Sequence, residues 1–226
     1  MKFNIILKKF FVFLIITLFL LSFIKIDYRL KEINAGAISD DSSYWYHAQT
    51  IGIDLDLDYS NQLEGTNKRN LNIENNKPVP VHPIGVGIFS GPILIISNIL
   101  GQLVEINTVV SFNYFIYSMI PILYIYLGLY LINVILKKKS IKINPLKGYV
   151  FLLGSGVTYF AFERFSMSHS YEFFSVIFLF YLSCLYSENS SKFIEIITPV
   201  AMFAILTLRW SNYHIFLISH YFHQIY

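Results

Sequence analysis

Charged side chains are scarce in this chain. They make up 14% of its 226 residues, against roughly 25% in an ordinary soluble domain, which leaves too few to cover a water-facing surface. Cysteine is nearly absent. The single Cys184 excludes an internal disulfide and any zinc site built on cysteines, and its apolar surroundings mark it as packed or lipid-facing. The chain carries no P-loop, zincin motif, nucleophile elbow or Rossmann fingerprint, and no internal repeat. The net charge of +3 is small. Its lysines gather at Lys8–Lys9, at Lys137–Lys138–Lys139, and at Lys142 and Lys147. Such clusters mark the cytoplasmic ends of spans rather than a nucleic-acid site.

Apolar residues are plentiful: 55% are hydrophobic, with 21 Phe and 17 Tyr. They fall in blocks at about 10–26, 84–101, 108–136, 148–162, 171–187, 193–208 and 213–226. About 20 apolar residues cross a bilayer as a helix, and a soluble core could not hide so many blocks. The composition predicts an all-α, multi-pass membrane protein forming a single transmembrane domain over 1–226. The first block has a basic start and an Ala-x-Ala-like site at Ala35–Gly36–Ala37, as a signal peptide would. That site lies beyond the charged stretch Lys25–Glu32, however, and signal peptidase cuts soon after the apolar region. A retained anchor is the expectation.

Between the first two blocks lies the one long polar region, 27–83. Within it, Asn61–Lys77 is rich in Asn and charge and reads as a mobile surface loop. Lys2, Lys8 and Lys9 place the amino terminus in the cytoplasm and loop 27–83 outside. The lysines of 137–147 should be cytoplasmic as well. Three crossings before them would put them outside, so one block does not span. The weakest is 84–101, interrupted by Gly85, Gly87, Gly91 and Pro92. It is expected to lie along, or dip into, the outer face.

With that topology the unusual polar residues collect on the outer side: Asp40 and Asp41, His82, then Glu163, Arg164, Ser168, His169 and Glu172, then Arg209 and Asn212. Ionisable groups near hydrocarbon face a polar cavity or one another. Asp40–Asp41 is the sharpest signal. Ser39 or Asp40 can cap a helix starting near Asp41, which would put Tyr44 with Ala48 on one face and Trp45 with Gln49 on another. A carboxylate here could take a proton from an acceptor hydroxyl or hold a divalent cation; an N-cap with a second exposed acid accounts for the same pair. Asp54, Asp56 and Asp58 alternate with Leu55 and Leu57, so an extended segment would put three acids on one face. Three such acids could bind a hard cation, but they lack the Gly and Glu of an EF-hand loop, and helix capping and solvation are the expected explanation. His169 can be a capping or interface residue or a functional one. Arg209 needs a carboxylate, a phosphate or snorkelling to the interface, and phosphate suits its bidentate donors.

Taken in order, these motifs resemble a family. An apolar anchor precedes an outer loop with the acidic pair Asp40–Asp41 and a Tyr-rich helix. The segment His82–Pro83–Ile84–Gly85 follows, then a long span ending in a basic loop. The chain is similar to the GT-C glycosyltransferases related to protein O-mannosyltransferases and to the aminoarabinose transferases of lipid A (glycosyltransferase family 39-like). SHSYEFF and LRWSN are similar to stretches in bacterial members. The resemblance implies a polytopic helix bundle whose first outer loop carries juxtamembrane helices, in a bacterial plasma membrane. It implies a hexosyl or pentosyl transferase that takes sugar from a polyprenyl-phosphate donor. Asp40 and Asp41 would be catalytic, directly or through a divalent cation, and His82, His169 and Arg209 would bind substrate. Membrane lipids and a lipid-linked sugar donor are the implied partners, with no nucleic acid; sugar and acceptor stay open. Such enzymes are generally much longer, so the chain, which stops at Tyr226 inside an apolar block, is expected to be an amino-terminal part. A non-catalytic membrane subunit or remnant is the alternative. A transporter component fits less well, because it would place charges near the bilayer midplane.

Overall fold

The computed structural model describes residues 40–63, 71–74, 77–106, 109–141, 154–188 and 191–214, with isolated helical positions at 16 and 20. Helix α1, Asp40–Gln49, opens with two acids in its first turn, where they complement the helix dipole. Its sequence is dense in aromatics, which are indifferent helix formers, so burial rather than propensity holds it. Tyr44, Trp45, Tyr46, His47 and Ala48 are all buried. The helix runs into one wider turn, Thr50–Asp54, and stops at Leu55. This residue takes a left-handed φ of 62° and returns its amide to the Thr50 carbonyl.

The extended, one-faced arrangement expected for Asp54, Asp56 and Asp58 is not what forms. Asp54 ends the wide turn and accepts from the side chains of Asn61 and Gln62. Asp56 Oδ1 accepts from the Asp58 amide at 3.1 Å. Asp58 Oδ1 accepts from the Ser60 amide at 3.1 Å, starting the single turn α2, Ser60–Leu63. Each acid is used up in a local turn, as short polar side chains favour. The stretch read as a mobile loop contains structure too. Strands β1, Leu71–Glu74, and β2, Lys77–Pro80, pair antiparallel with Leu71 opposite Pro80. The alternation Leu-Asn-Ile-Glu is a strand pattern that the count of Asn and charges had hidden. Among the described residues the fold is therefore mostly helical with one pair of antiparallel strands.

The apolar blocks become α3 (Gly85–Leu103), α4 (Val109–Lys138), α6 (His169–Glu188) and α7 (Lys192–Leu208). Of block 148–162 residues 154–162 are described, with the short α5, Gly156–Phe162, and a 3₁₀ turn, Trp210–His214, follows α7. Among the described residues three helices are long and apolar enough to cross a membrane: α3 with mean hydropathy 1.6, α4 with 2.1 and α6 with 1.3. This is the build of a membrane protein. The glycines expected to weaken 84–101 do not interrupt α3; they seat it. A Cβ on Gly87 would lie 2.7 Å from the His47 carbonyl oxygen, and one on Gly85 would lie 2.5 Å from the Thr207–Leu208 backbone.

α4, 30 residues and about 45 Å long, organises the rest by register. α3 runs antiparallel along its front half. Asn113 meets Ser97 at 2.7 Å and Asn98 at 3.1 Å, and Tyr124 donates to the Phe89 carbonyl at 2.8 Å. α6 runs parallel to its back half, with Tyr124 against Tyr171, Gly128 against Phe173, and Lys138 paired to Glu188. α7 folds back along α6 through Leu179, Leu182, Ala201 and Ile205. α1 lies on the front half, its Trp45 ring 5.0 Å from Tyr114 and 4.8 Å from Tyr117. Two layers result, divided near Tyr124: α1, α3 and front α4 in one, and back α4, α6 and α7 in the other. The aromatic core of Trp45, Tyr114, Tyr117, Phe165 and Tyr171 fastens the first layer to the top of the second. Ring pairs of this kind add about 0.5–1.5 kcal/mol each beyond burial.

Candidate functional site

The layer boundary gathers the polar residues. Successive helical residues point about 100° apart, and Asp40 and Asp41 therefore meet different partners. Asp40, whose side chain is 55% exposed, pairs with His82 Nε2 at 3.1 Å. Asp41 is only 17% exposed. Arg164 places Nε and Nη2 on its Oδ2, at 3.1 and 2.8 Å. That bond to Asp41 raises the Arg164 guanidinium above its ordinary range. Asp41 Oδ1 is buried and has no hydrogen-bond partner among the described residues. One oxygen is held and the other is left over.

His82 is itself fixed from below. His47 Nε2 lies 2.8 Å from the His82 carbonyl and Nδ1 lies 2.8 Å from the Tyr59 hydroxyl. A carbonyl only accepts, so Nε2 carries the proton and Nδ1 accepts from Tyr59. Burial pushes His47 down to about 4. Burial, with Asp56 adding to it, pushes Tyr59 up to about 12. The pair is a neutral strut between α1 and the segment leading to α3.

The second group centres on Glu172, in the first turn of α6. Its Oε1 accepts from Ser168 Oγ at 2.8 Å and forms an ion pair with Arg209 Nε at 3.1 Å. His169 Nδ1 is 3.5 Å from Oε2, and Arg209 Nη2 is 3.4 Å from His169 Nε2. The guanidinium can only donate, which assigns the His169 proton to Nδ1, facing Glu172. Phe160 packs against the imidazole at a tilt of 42°, with ring centroids 3.9 Å apart. Tyr44 joins the two groups. Its hydroxyl is hydrogen-bonded to Ser168, burial raises its pKa, and its ring lies 5.3 Å from that of His82.

All five residues expected at the site thus lie in one assembly: Asp40, Asp41 and His82 on the α1 side, and His169 and Arg209 on the α6–α7 side. Sequence reasoning placed Arg164, Ser168 and Glu172 on the same outer side but gave them no role; their charge and position were the available signal. His47, Tyr59 and Tyr44 had none, because buried aromatics look alike in a Tyr-rich chain. The divalent cation considered at Asp40–Asp41 does not fit. The two carboxylates turn to His82 and to Arg164, and among the described residues no group of three or more His, Cys, Asp or Glu could hold a metal ion. No family model, curated protein or solved structure matches this chain. The site's own chemistry must carry its reading.

Proposed function

We propose that this chain belongs to a GT-C-type membrane glycosyltransferase that moves a sugar from a polyprenyl-phosphate carrier to an acceptor hydroxyl at the outer membrane face. The observation that carries this reading is a half-satisfied carboxylate, Asp41, on the helix whose Tyr44 is joined through Ser168 to an arginine–histidine group at the ends of apolar helices. A lipid carrier delivers its phosphate at that depth. In the proposed step Asp41 takes the acceptor O–H proton and the acceptor oxygen attacks the anomeric carbon from the face opposite the carrier. The bond from that carbon to the phosphate oxygen breaks, and polyprenyl phosphate leaves with the electron pair. Arg209 and His169 hold the phosphate, and Asp40 and His82 shape the acceptor side.

The proposed topology has the amino terminus and the lysine loop in the cytoplasm of a bacterial cell and α3 resting along the outer face. Register supports this placement of α3. It follows front α4 while α6 follows back α4, and the whole of α4 is about 45 Å long against a hydrocarbon core of about 30 Å. The two helices therefore do not fill the same slab.

The test is to express the protein from its complete gene with Asp41→Asn or Asp40→Asn and supply a lipid-linked sugar. Asp41→Asn should lower transfer by about 100-fold or more, the scale of a lost general base, with membrane insertion intact. Asp40→Asn, which loses only an exposed pair, should cost less than about tenfold. Full activity in Asp41→Asn would sink the proposal.

A further inference from the structure

Glu172 sits where a phosphate oxygen would have to go. Its carboxylate occupies the Nε edge of Arg209, while Arg209 Nη2 is turned to His169. The Arg209 side chain is nevertheless 41% exposed, and its Nη1 meets no partner among the described residues. Part of this guanidinium therefore faces outward while the rest is already neutralised. Glu172 also has other donors to keep: Ser168 Oγ at 2.8 Å and His169 Nδ1 at 3.5 Å. Were Arg209 to turn away, the carboxylate would stay partnered and would not be stranded as a bare buried charge.

We infer that Glu172 is a resident counter-ion of the Arg209 site, and that a phosphate-bearing ligand binds by displacing it from the guanidinium. The inference rests on the reading of Arg209 as a phosphate residue. A phosphate monoester, which is what leaves in the proposed transfer, carries more charge than a carboxylate and offers three acceptor oxygens. It can therefore win Arg209 from Glu172, but it exchanges one ion pair for another instead of adding a new one. Affinity is held down by that exchange, and the ligand is released when Glu172 returns. A positioning role, in which Glu172 merely aims the arginine, predicts the opposite sign when its charge is removed.

The experiment titrates purified full-length protein in detergent with farnesyl phosphate, with inorganic phosphate and farnesol as parallel arms. Glu172→Gln keeps the shape and the acceptor oxygen but loses the charge. It should bind farnesyl phosphate roughly threefold to tenfold more tightly than wild type at low salt, with the gap closing as salt screens it. Inorganic phosphate should show the same shift at weaker affinity if the headgroup alone is read, and none if the prenyl chain is needed to seat it; farnesol should show none. Glu172→Asp, with its shorter reach, should give a smaller gain and serves if the Gln variant fails to fold. Arg209→Gln should lose about tenfold or more in either background. If Arg209→Gln weakens binding while Glu172→Gln leaves it unchanged or weaker, the counter-ion role is overturned and the phosphate role of Arg209 stands. If Arg209→Gln changes nothing, both fall.

Discussion

Asp41 and Glu172 are near twins in their surroundings and opposites in their use. Each carboxylate is 17% exposed, and each is paired to an arginine about 40% exposed, Arg164 and Arg209. Arg164 takes only Oδ2 of Asp41 and leaves Oδ1 buried without a partner. Glu172 is shared among Ser168, His169 and Arg209, across both of its oxygens. A buried polar atom left unpaired costs about 1–3 kcal/mol, so the Asp41 oxygen carries an unmet demand for a donor that neither oxygen of Glu172 does. The difference shows that two ion pairs of equal burial can leave very different hydrogen-bond demands behind them.

The comparison can be broken on one side at a time. The largest effect is expected from Trp45→Ala. It removes a fully buried ring from the α1 seat and should lower stability by about 3–5 kcal/mol, loosening Asp41 while leaving the α6–α7 packing beneath Glu172. Thermal unfolding in detergent, followed by proteolysis of α1, would show whether the loss is confined there.

The next effect is on pH. His47 is held near 4, below the ordinary 6.5 of histidine, so its neutral form is favoured in the folded protein. Above pH 6.5 neither state is protonated and nothing changes. As pH falls from 6.5 towards 4 the unfolded chain takes up a proton that the folded one refuses, and stability drops by up to roughly 3 kcal/mol. A melting series from pH 7.5 to 5 should show a slope in wild type that His47→Gln lacks; equal slopes would remove His47 from the account.

The smallest effect is expected from Tyr44→Phe. It cuts the hydroxyl that joins the two groups through Ser168 and should cost about 1 kcal/mol. Activity should fall more than stability if the Asp41 and Arg209 groups work on one substrate.

Much of the architecture was legible because hydrophobic blocks are local. The blocks at 108–136, 171–187 and 193–208 became α4, α6 and α7 with shifts of a few residues. What failed depended on distant partners. Gly87 looked like a helix breaker, yet it is the point where α3 meets the backbone of His47, 40 residues earlier in the chain. Asp40 and Asp41 were indistinguishable as neighbours; Arg164, 123 positions away, separates them. Glu172 is a first-turn acid, which the helix dipole alone would explain, and nothing local reveals that it gathers Arg209. The gathering of these polar residues was legible from charge and span order, but the partner that each one takes within it was not.

The central claim is sugar transfer from a phosphate-linked lipid at this layer boundary. The most direct measurement gives the purified protein, expressed from its complete gene, a labelled polyprenyl-phosphate sugar and an extract of envelope acceptors. The account predicts label moving to an acceptor with stoichiometric release of polyprenyl phosphate, and loss of both in Asp41→Asn. Donor left intact across a full acceptor panel, with no difference between wild type and Asp41→Asn, would contradict it.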